Sequence, residues 1–210
     1  EYGQVYRFEP SGSLRGLGRV RGLCQNDGHI YVEPEGAYDE LLNVLRFHEV
    51  CYKALGISEF RYRLSKHDPS RVDDFQGEVE KWIECEDILR RALDALGLSF
   101  FEAVGEAAFY GPKIDFMGRD ALGRESQVAT IQLDFNQPAG FGLEFVDEQG
   151  QKQQPVMIHA AIMGSIERFL SVYIEHVGGA FPTWLAPEQA RVLPVSDKFA
   201  DYGAKVVAEL

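Results

Sequence analysis

Apolar positions along the chain follow two rhythms. Leu41, Leu45, His48, Tyr52 and Leu55 advance in steps of three and four, the spacing of one buried helical face, and predict a helix over 37–55. His48 falls on that face and reads as a core histidine. Trp82, Leu89, Leu93 and Leu96 predict a second helix over 77–96, in which Glu86 interrupts the apolar side without an evident reason. Shorter apolar or alternating runs predict strands over 2–9, 17–32 with a polar interruption, 59–64, 99–104, 109–117, 125–135 and 141–146, then from Pro155. Short turns between successive strands imply an antiparallel sheet. The run from Pro155 turns through Gly164-Ser165 into a third apolar-faced helix over 165–177, which Gly178-Gly179 would end. Pro182 and Pro187 predict a domain boundary near 187, after which 192–195 and 197–210 read as a strand and a helix of a further domain. The fold class is therefore α+β, with a mixed, mainly antiparallel sheet flanked by helices.

Composition narrows the function more than the fold. At 45 % apolar and 26 % charged the chain is globular, and 21 Lys and Arg against 33 Asp and Glu give a net charge of −12. Such a chain cannot hold nucleic acid by bulk electrostatics, so any contact of that kind must be local. Cys24, Cys51 and Cys85 are odd in number and widely spaced, which suits a reducing, cytoplasmic setting. No apolar run is long enough to span a bilayer, and no partner in a membrane is expected. The chain starts without Met or a signal segment and reads as a piece of a longer protein.

Four polar clusters stand where a plain core would not want them. Arg7 and Glu9 sit at i and i+2 on the first predicted strand, so both face one side, an anion binder beside a hydrogen-bond acceptor. Asp27 and His29 repeat that spacing, while Gln127 and Gln132 interrupt an otherwise buried run. The fourth cluster is His159 with Arg168, at the junction of strand, turn and helix, where free backbone N–H groups and an arginine make a natural phosphate site. His29 and His159 suit a shared zinc, which needs three protein ligands and an open position. Spacing alone leaves open that they are unrelated, just as Arg15, Arg19 and Arg21 read equally as a solvated face.

Taken in order, the segments resemble the class II aminoacyl-tRNA synthetases. Tyr6-Arg7-Phe8-Glu9, Pro10-Ser11-Gly12 and Arg19-Val20-Arg21-Gly22 look like the second signature of that class, and Gly164-Ser165-Ile166-Glu167-Arg168-Phe169 like the third. Residues 25–30, 105–116, 130–135 and 156–159 resemble the threonyl branch in particular. The resemblance implies a class II catalytic core over 1–187, lacking its N-terminal part and its first signature. From 188 onward it implies the truncated start of an α/β anticodon-binding domain.

It also implies an activity: ATP-dependent conversion of threonine to its adenylate and transfer to tRNA(Thr), with magnesium accompanying ATP and a homodimer as the working form. By the same resemblance, Arg7 would hold the α-phosphate and the amino-acid carboxylate, Glu9 would read the adenine amino group, and Arg168 would lie against adenine and reach the γ-phosphate. Arg19 and Gln127 complete the implied ATP set; Gln25, Asp27, Tyr110 and Gln132 join Arg7 as the implied threonine set. Zinc would be held by His29, His159 and a cysteine expected upstream. Three departures from the family's pattern stand out: Asn26 for a usual Asp, Ala160 for a common Arg, and Val128-Ala129 for Cys-Gly. The rival reading is a synthetase-like protein that binds nucleotide or amino acid without catalysis; a zinc hydrolase lacks any matching motif.

Overall fold

Every second residue of the central strands is buried against two helices, and the alternate residues form a polar floor. The computed structural model describes residues 1–57, 60–119 and 123–210. In chain order the elements are β1 (Tyr2–Tyr6), β2 (Gly22–Val32), α1 (Ala37–Ala54), β3 (Arg61–Lys66), α2 (Val79–Ala95), β4 (Phe100–Val104), β5 (Lys113–Arg119) and β6 (Glu125–Asp134). They continue with α3 (Gln137–Gly140), β7 (Phe145–Val146), β8 (Lys152–Gln153), β9 (Val156–Ser165), α4 (Ile166–His176) and α5 (Ala200–Glu209).

Seven strands form one sheet in the order β1-β2-β9-β6-β5-β3-β4, and β7 with β8 make a separate hairpin. All neighbours in the large sheet are antiparallel except β3 and β4. That parallel pair departs from the expected succession of antiparallel strands because α2 lies between them and returns the chain to the same end of the sheet. One irregularity is large: Asn26 faces Gly164 while Gly28 faces Ala160, so Ala161, Ile162 and Met163 stand opposite Asp27 alone. The Asn26 side chain accepts the Met163 N–H at 3.2 Å, and the Tyr52 hydroxyl donates to the Ile162 carbonyl at 2.5 Å, holding the extra residues in place.

Both long helices pack on one face, against each other and against β9, β3 and β5. Leu41, Leu45, His48, Tyr52 and Leu55 are buried as their spacing predicts, together with Val44. His48 stacks over Phe116 and bonds the Val44 carbonyl through Nδ1 at 2.9 Å. Its pKa is lowered, chiefly by burial. On α2 the odd charge now has its reason. Glu86 accepts the backbone N–H of His67 at 2.9 Å and pairs with that imidazole at 2.6 Å, satisfying a buried strand end.

Several predicted strands shrink. β1 stops at Tyr6, so Arg7 and Glu9 lie in the loop beyond it, where the Arg7 N–H still bonds the Arg21 carbonyl at 2.8 Å. The strand expected from Leu17 begins only at Gly22, because residues 16–18 form a short 3-10 turn in which the glycines favour turning over pairing. Residues 106–112 form turns ahead of β5, and the stretch from 141 contributes only β7. The strand expected over 59–64 begins at Arg61; residue 59 lies outside the described residues. No strand forms over 192–195, which has no sheet partner among the described residues.

The chain divides into two compact units, Glu1–Tyr173 and Ile174–Leu210. The second holds the end of α4, a 3-10 turn at Thr183–Leu185 and α5. Among the described residues no helix is long and apolar enough to cross a membrane.

Candidate active site

The sheet face away from α1 and α2 carries Arg63, Ser65, Asp115, Thr130, Gln132, Asp134 and His159, an unusual concentration of polar groups for so little solvent. Ser65, Asp115 and Asp134 are fully buried and Gln132 is 4 % exposed. Asp115 accepts from Arg63 at 2.8 Å, Ser65 at 2.7 Å, Lys113 at 2.8 Å and Thr130 at 3.0 Å, so this carboxylate joins three strands. Buried groups so fully satisfied form a stiff floor.

Above that floor a cleft opens, lined by Arg7, Glu9, Arg19, Gln25, Gln127 and Arg168 among others. Gly164 adopts φ +57°, a conformation open to glycine at little cost, and lets β9 turn directly into α4. The Ser165 hydroxyl then accepts the Arg168 N–H at 3.2 Å, as an N-cap does. Glu167 reaches back to accept the Cys24 N–H at 2.9 Å, which locks the start of α4 to β2. Arg168 donates to the Gly18 carbonyl at 2.9 Å, while Arg19 pairs with Glu9 at 2.9 Å. Arg21 donates to the Glu9 carbonyl at 2.9 Å and to Ser11, a brace for the loop. Arg7 has no ion pair among the described residues. Burial lowers the pKa of Arg168, and the charges of Arg7 and Arg19 push the same way against Glu9. Three guanidinium groups facing one carboxylate leave a positive excess that an anion would relieve.

A second cluster adjoins the first through Gln25, whose amide donates to Asp27 at 3.2 Å. His29 and His159 are directly opposed on β2 and β9, their rings 4.8 Å apart edge to face. Ligand atoms of Asp27, His29 and His159 all lie within 4.8 Å of one another. One Asp27 oxygen, Oδ1, is buried and has no hydrogen-bond partner among the described residues. An orphaned carboxylate oxygen beside two imidazoles is a donor set that fits a zinc-like divalent ion. None of the three cysteines joins this group among the described residues.

Tyr110 leans over the cluster with its ring 5.6 Å from His159, and burial, then the charges of Asp134 and Asp27, raise its pKa. Gln132 sits beside His159 on β6, with its amide nitrogen donating to the Gly111 carbonyl at 2.9 Å. Gly111 is there because a Cβ would meet the Leu133 carbonyl at 2.2 Å.

The profile of the family described as "tRNA synthetase class II core domain (G, H, P, S and T)" matches residues 1–177. The chain belongs to this class II synthetase core family. It is 48 % identical over 206 residues to threonine–tRNA ligase of Chlorobium limicola, covering 98 % of this chain and 31 % of that protein. The enzyme of Cytophaga hutchinsonii is 47 % identical over 210 residues, 100 % of this chain and 33 % of its own length. The chain thus spans about a third of the length of the curated relatives it matches. The crystal structure of the RNA binding domain of threonyl-tRNA synthetase from Cryptosporidium parvum superposes with a TM-score of 0.90 at 44 % identity, over 99 % of this chain and 51 % of that one. Prolyl-tRNA synthetase from the same organism shares the fold, with a TM-score of 0.61 at 18 % identity, over 99 % of this chain and 39 % of that one.

Within this synthetase core the residues expected for ATP gather in the first cluster and the expected metal pair in the second. Thr130, Lys113, Asp115 and Asp134 fall within the segments 105–116 and 130–135, yet the resemblance assigns them no role. Their signal was the alternation Thr130-Ile131-Gln132-Leu133-Asp134 and Lys113-Ile114-Asp115-Phe116, which puts every polar group on the face opposite the helices.

Proposed function

We propose that this chain is the core of a threonine–tRNA ligase that activates threonine with ATP and transfers it to tRNA(Thr). The observation that carries the reading is the pairing of the two clusters: an excess of guanidinium charge in a cleft, joined through Gln25 to a two-histidine, one-carboxylate donor set. Identity of 45–48 % to threonine–tRNA ligases along nearly the whole chain supports the same choice.

In this reading Arg7 and Arg168 are the catalytic pair. The threonine carboxylate attacks the α-phosphorus of ATP as the bond to the β-phosphate breaks and pyrophosphate leaves; negative charge gathers on the phosphate oxygens, and fixed guanidinium groups stabilise it without any proton transfer. Arg168 also packs on adenine, Glu9 accepts from its amino group, and Arg19 and Gln127 complete the nucleotide contacts, with magnesium carried on ATP. Gln25, Asp27, Tyr110 and Gln132 line the threonine side; of these, Asp27 has an oxygen free to accept the threonine hydroxyl.

His29 and His159 would hold zinc, with the third ligand a cysteine as the resemblance implies. When bound, zinc supplies a Lewis acid for the amino and hydroxyl groups of threonine. Valine has nearly the same shape but no hydroxyl, and a polar site rejects such an analogue far better than an apolar pocket does. The working protein is a cytoplasmic homodimer in this proposal, and its acidic charge confines tRNA contacts to the cleft rim and to other domains.

The test is amino-acid-dependent ATP–pyrophosphate exchange by the full-length protein with threonine, serine and valine. Exchange with threonine, less with serine and none with valine is the expected result. Absence of exchange with threonine from folded, zinc-loaded protein would overturn the proposal in favour of a non-catalytic binding protein.

A further inference from the structure

Asp134 is fully buried at the end of β6, yet no role in the reaction has been given to it. Its two oxygens are divided between two tasks. Oδ1 accepts the backbone N–H groups of Asn136 and Gln137, both at 2.9 Å, and so shapes the turn into α3. Oδ2 lies 2.9 Å from Nε2 of His159. A carboxylate accepts and does not donate, so opposite it the imidazole is the donor and Nε2 carries the hydrogen.

We propose that Asp134 is the positioning residue of the metal cluster: it holds the His159 ring in the Nε2–H form and leaves Nδ1 as the lone-pair nitrogen for the site. This rests on the reading of His29 and His159 as metal ligands. The topology agrees with it, because β9 lies between β6 and β2, so Asp134 grips the ring from the β6 side while His29 and Asp27 stand on the β2 side. The same turn also holds the neighbouring aromatic ring in place. Asn136 donates through Nδ2 to the Tyr110 carbonyl at 3.0 Å, and Tyr110 packs against His159. One buried carboxylate thus fixes the tautomer and the tilt of a ligand whose other nitrogen faces the substrate side, as outer-shell acids do for metal-binding histidines.

The decisive variant is Asp134→Asn. Asparagine keeps the size and can still offer Oδ1 to the two amides, but it then turns an NH2 donor toward Nε2. His159 is driven to the Nδ1–H form, in which the nitrogen meant for the metal is blocked. Two measurements on the full-length protein test this. Long-range proton–nitrogen NMR correlations at mildly alkaline pH should show His159 as the Nε2–H tautomer in the wild type and as Nδ1–H in Asp134→Asn. Competition with a chromophoric chelator should show zinc held about 10- to 100-fold less tightly by the variant.

The wild-type spectrum alone keeps the proposal falsifiable if the variant does not fold, since an Nδ1–H His159 there would overturn it. Equal zinc affinity in wild type and a folded variant would overturn it as well. A wild type that takes up no zinc but shows the Nε2–H tautomer would support the role of Asp134 while sinking the metal reading, so the two failures are distinguishable.

Discussion

The guanidinium of Arg168 is anchored on the Gly18 carbonyl and, among the described residues, sits beside the like charges of Arg7 and Arg19. A side chain held in that way is poised rather than neutralised, and its replacement should be felt when charge grows on phosphate. Arg168→Ala is expected to slow threonine-dependent pyrophosphate exchange by about 10²-fold, the scale of losing one preorganised charge donor, while thermal stability stays close to that of the parent. Steady-state exchange beside a melting curve checks both halves. Asp115 presents the opposite case. Its carboxylate compensates the half-enclosed Arg63 and Lys113. Asp115→Ala should therefore cost about 3–5 kcal/mol in urea unfolding, because Lys113 would lose its ion-pair partner and Arg63 would keep only the more exposed Glu106 at 3.4 Å.

At the scale of elements, α1 shows how a buried residue couples the fold to pH. His48 is neutral and enclosed in the folded protein, with its pKa below the ordinary 6.5, and is free to take a proton once unfolded. Stability from this source is fully present above about pH 6.5 and declines as pH falls below it toward the lower folded value, since there the unfolded chain binds more protons. Melting temperatures compared across that range should fall more steeply for the parent than for His48→Gln. The helices themselves were legible in the sequence, because steps of three and four over 37–55 survive any tertiary detail. Strand limits were less so. Arg7 and Glu9 alternate as a strand would, and only the pull of the turns at 11–13 and 16–18 shows that the chain has already left the sheet. Glu86 read as a fault in its helix, for its reason is a histidine just past the end of β3 that spacing cannot reveal.

For the whole molecule, the sheet separates structural from chemical duties by face, and on the chemical face two clusters meet through Gln25 alone of the residues named for them. Removing metal with a chelator should abolish exchange with threonine yet leave ATP binding, followed by calorimetry, unchanged, because the arginine cleft draws no side chain from the His29–His159 pair. Loss of ATP binding on chelation would show that the clusters are one unit. The residues of both were readable from motif order, whereas the polar floor beneath them was not, since its members are strung over β3, β5 and β6 and meet only on folding.

The irregular step between β2 and β9 carries a rule about length. Over the stretch where Asp27 stands alone, β9 is two residues longer than its partner, an even excess, so side chains on either side of it keep the same facing. Losing or gaining a single residue among 161–163 would swing either His159 or the approach to Arg168 toward the helices. Descendants of this chain are therefore expected to change length here in pairs or not at all, a parity constraint that a screen of insertions and deletions would expose.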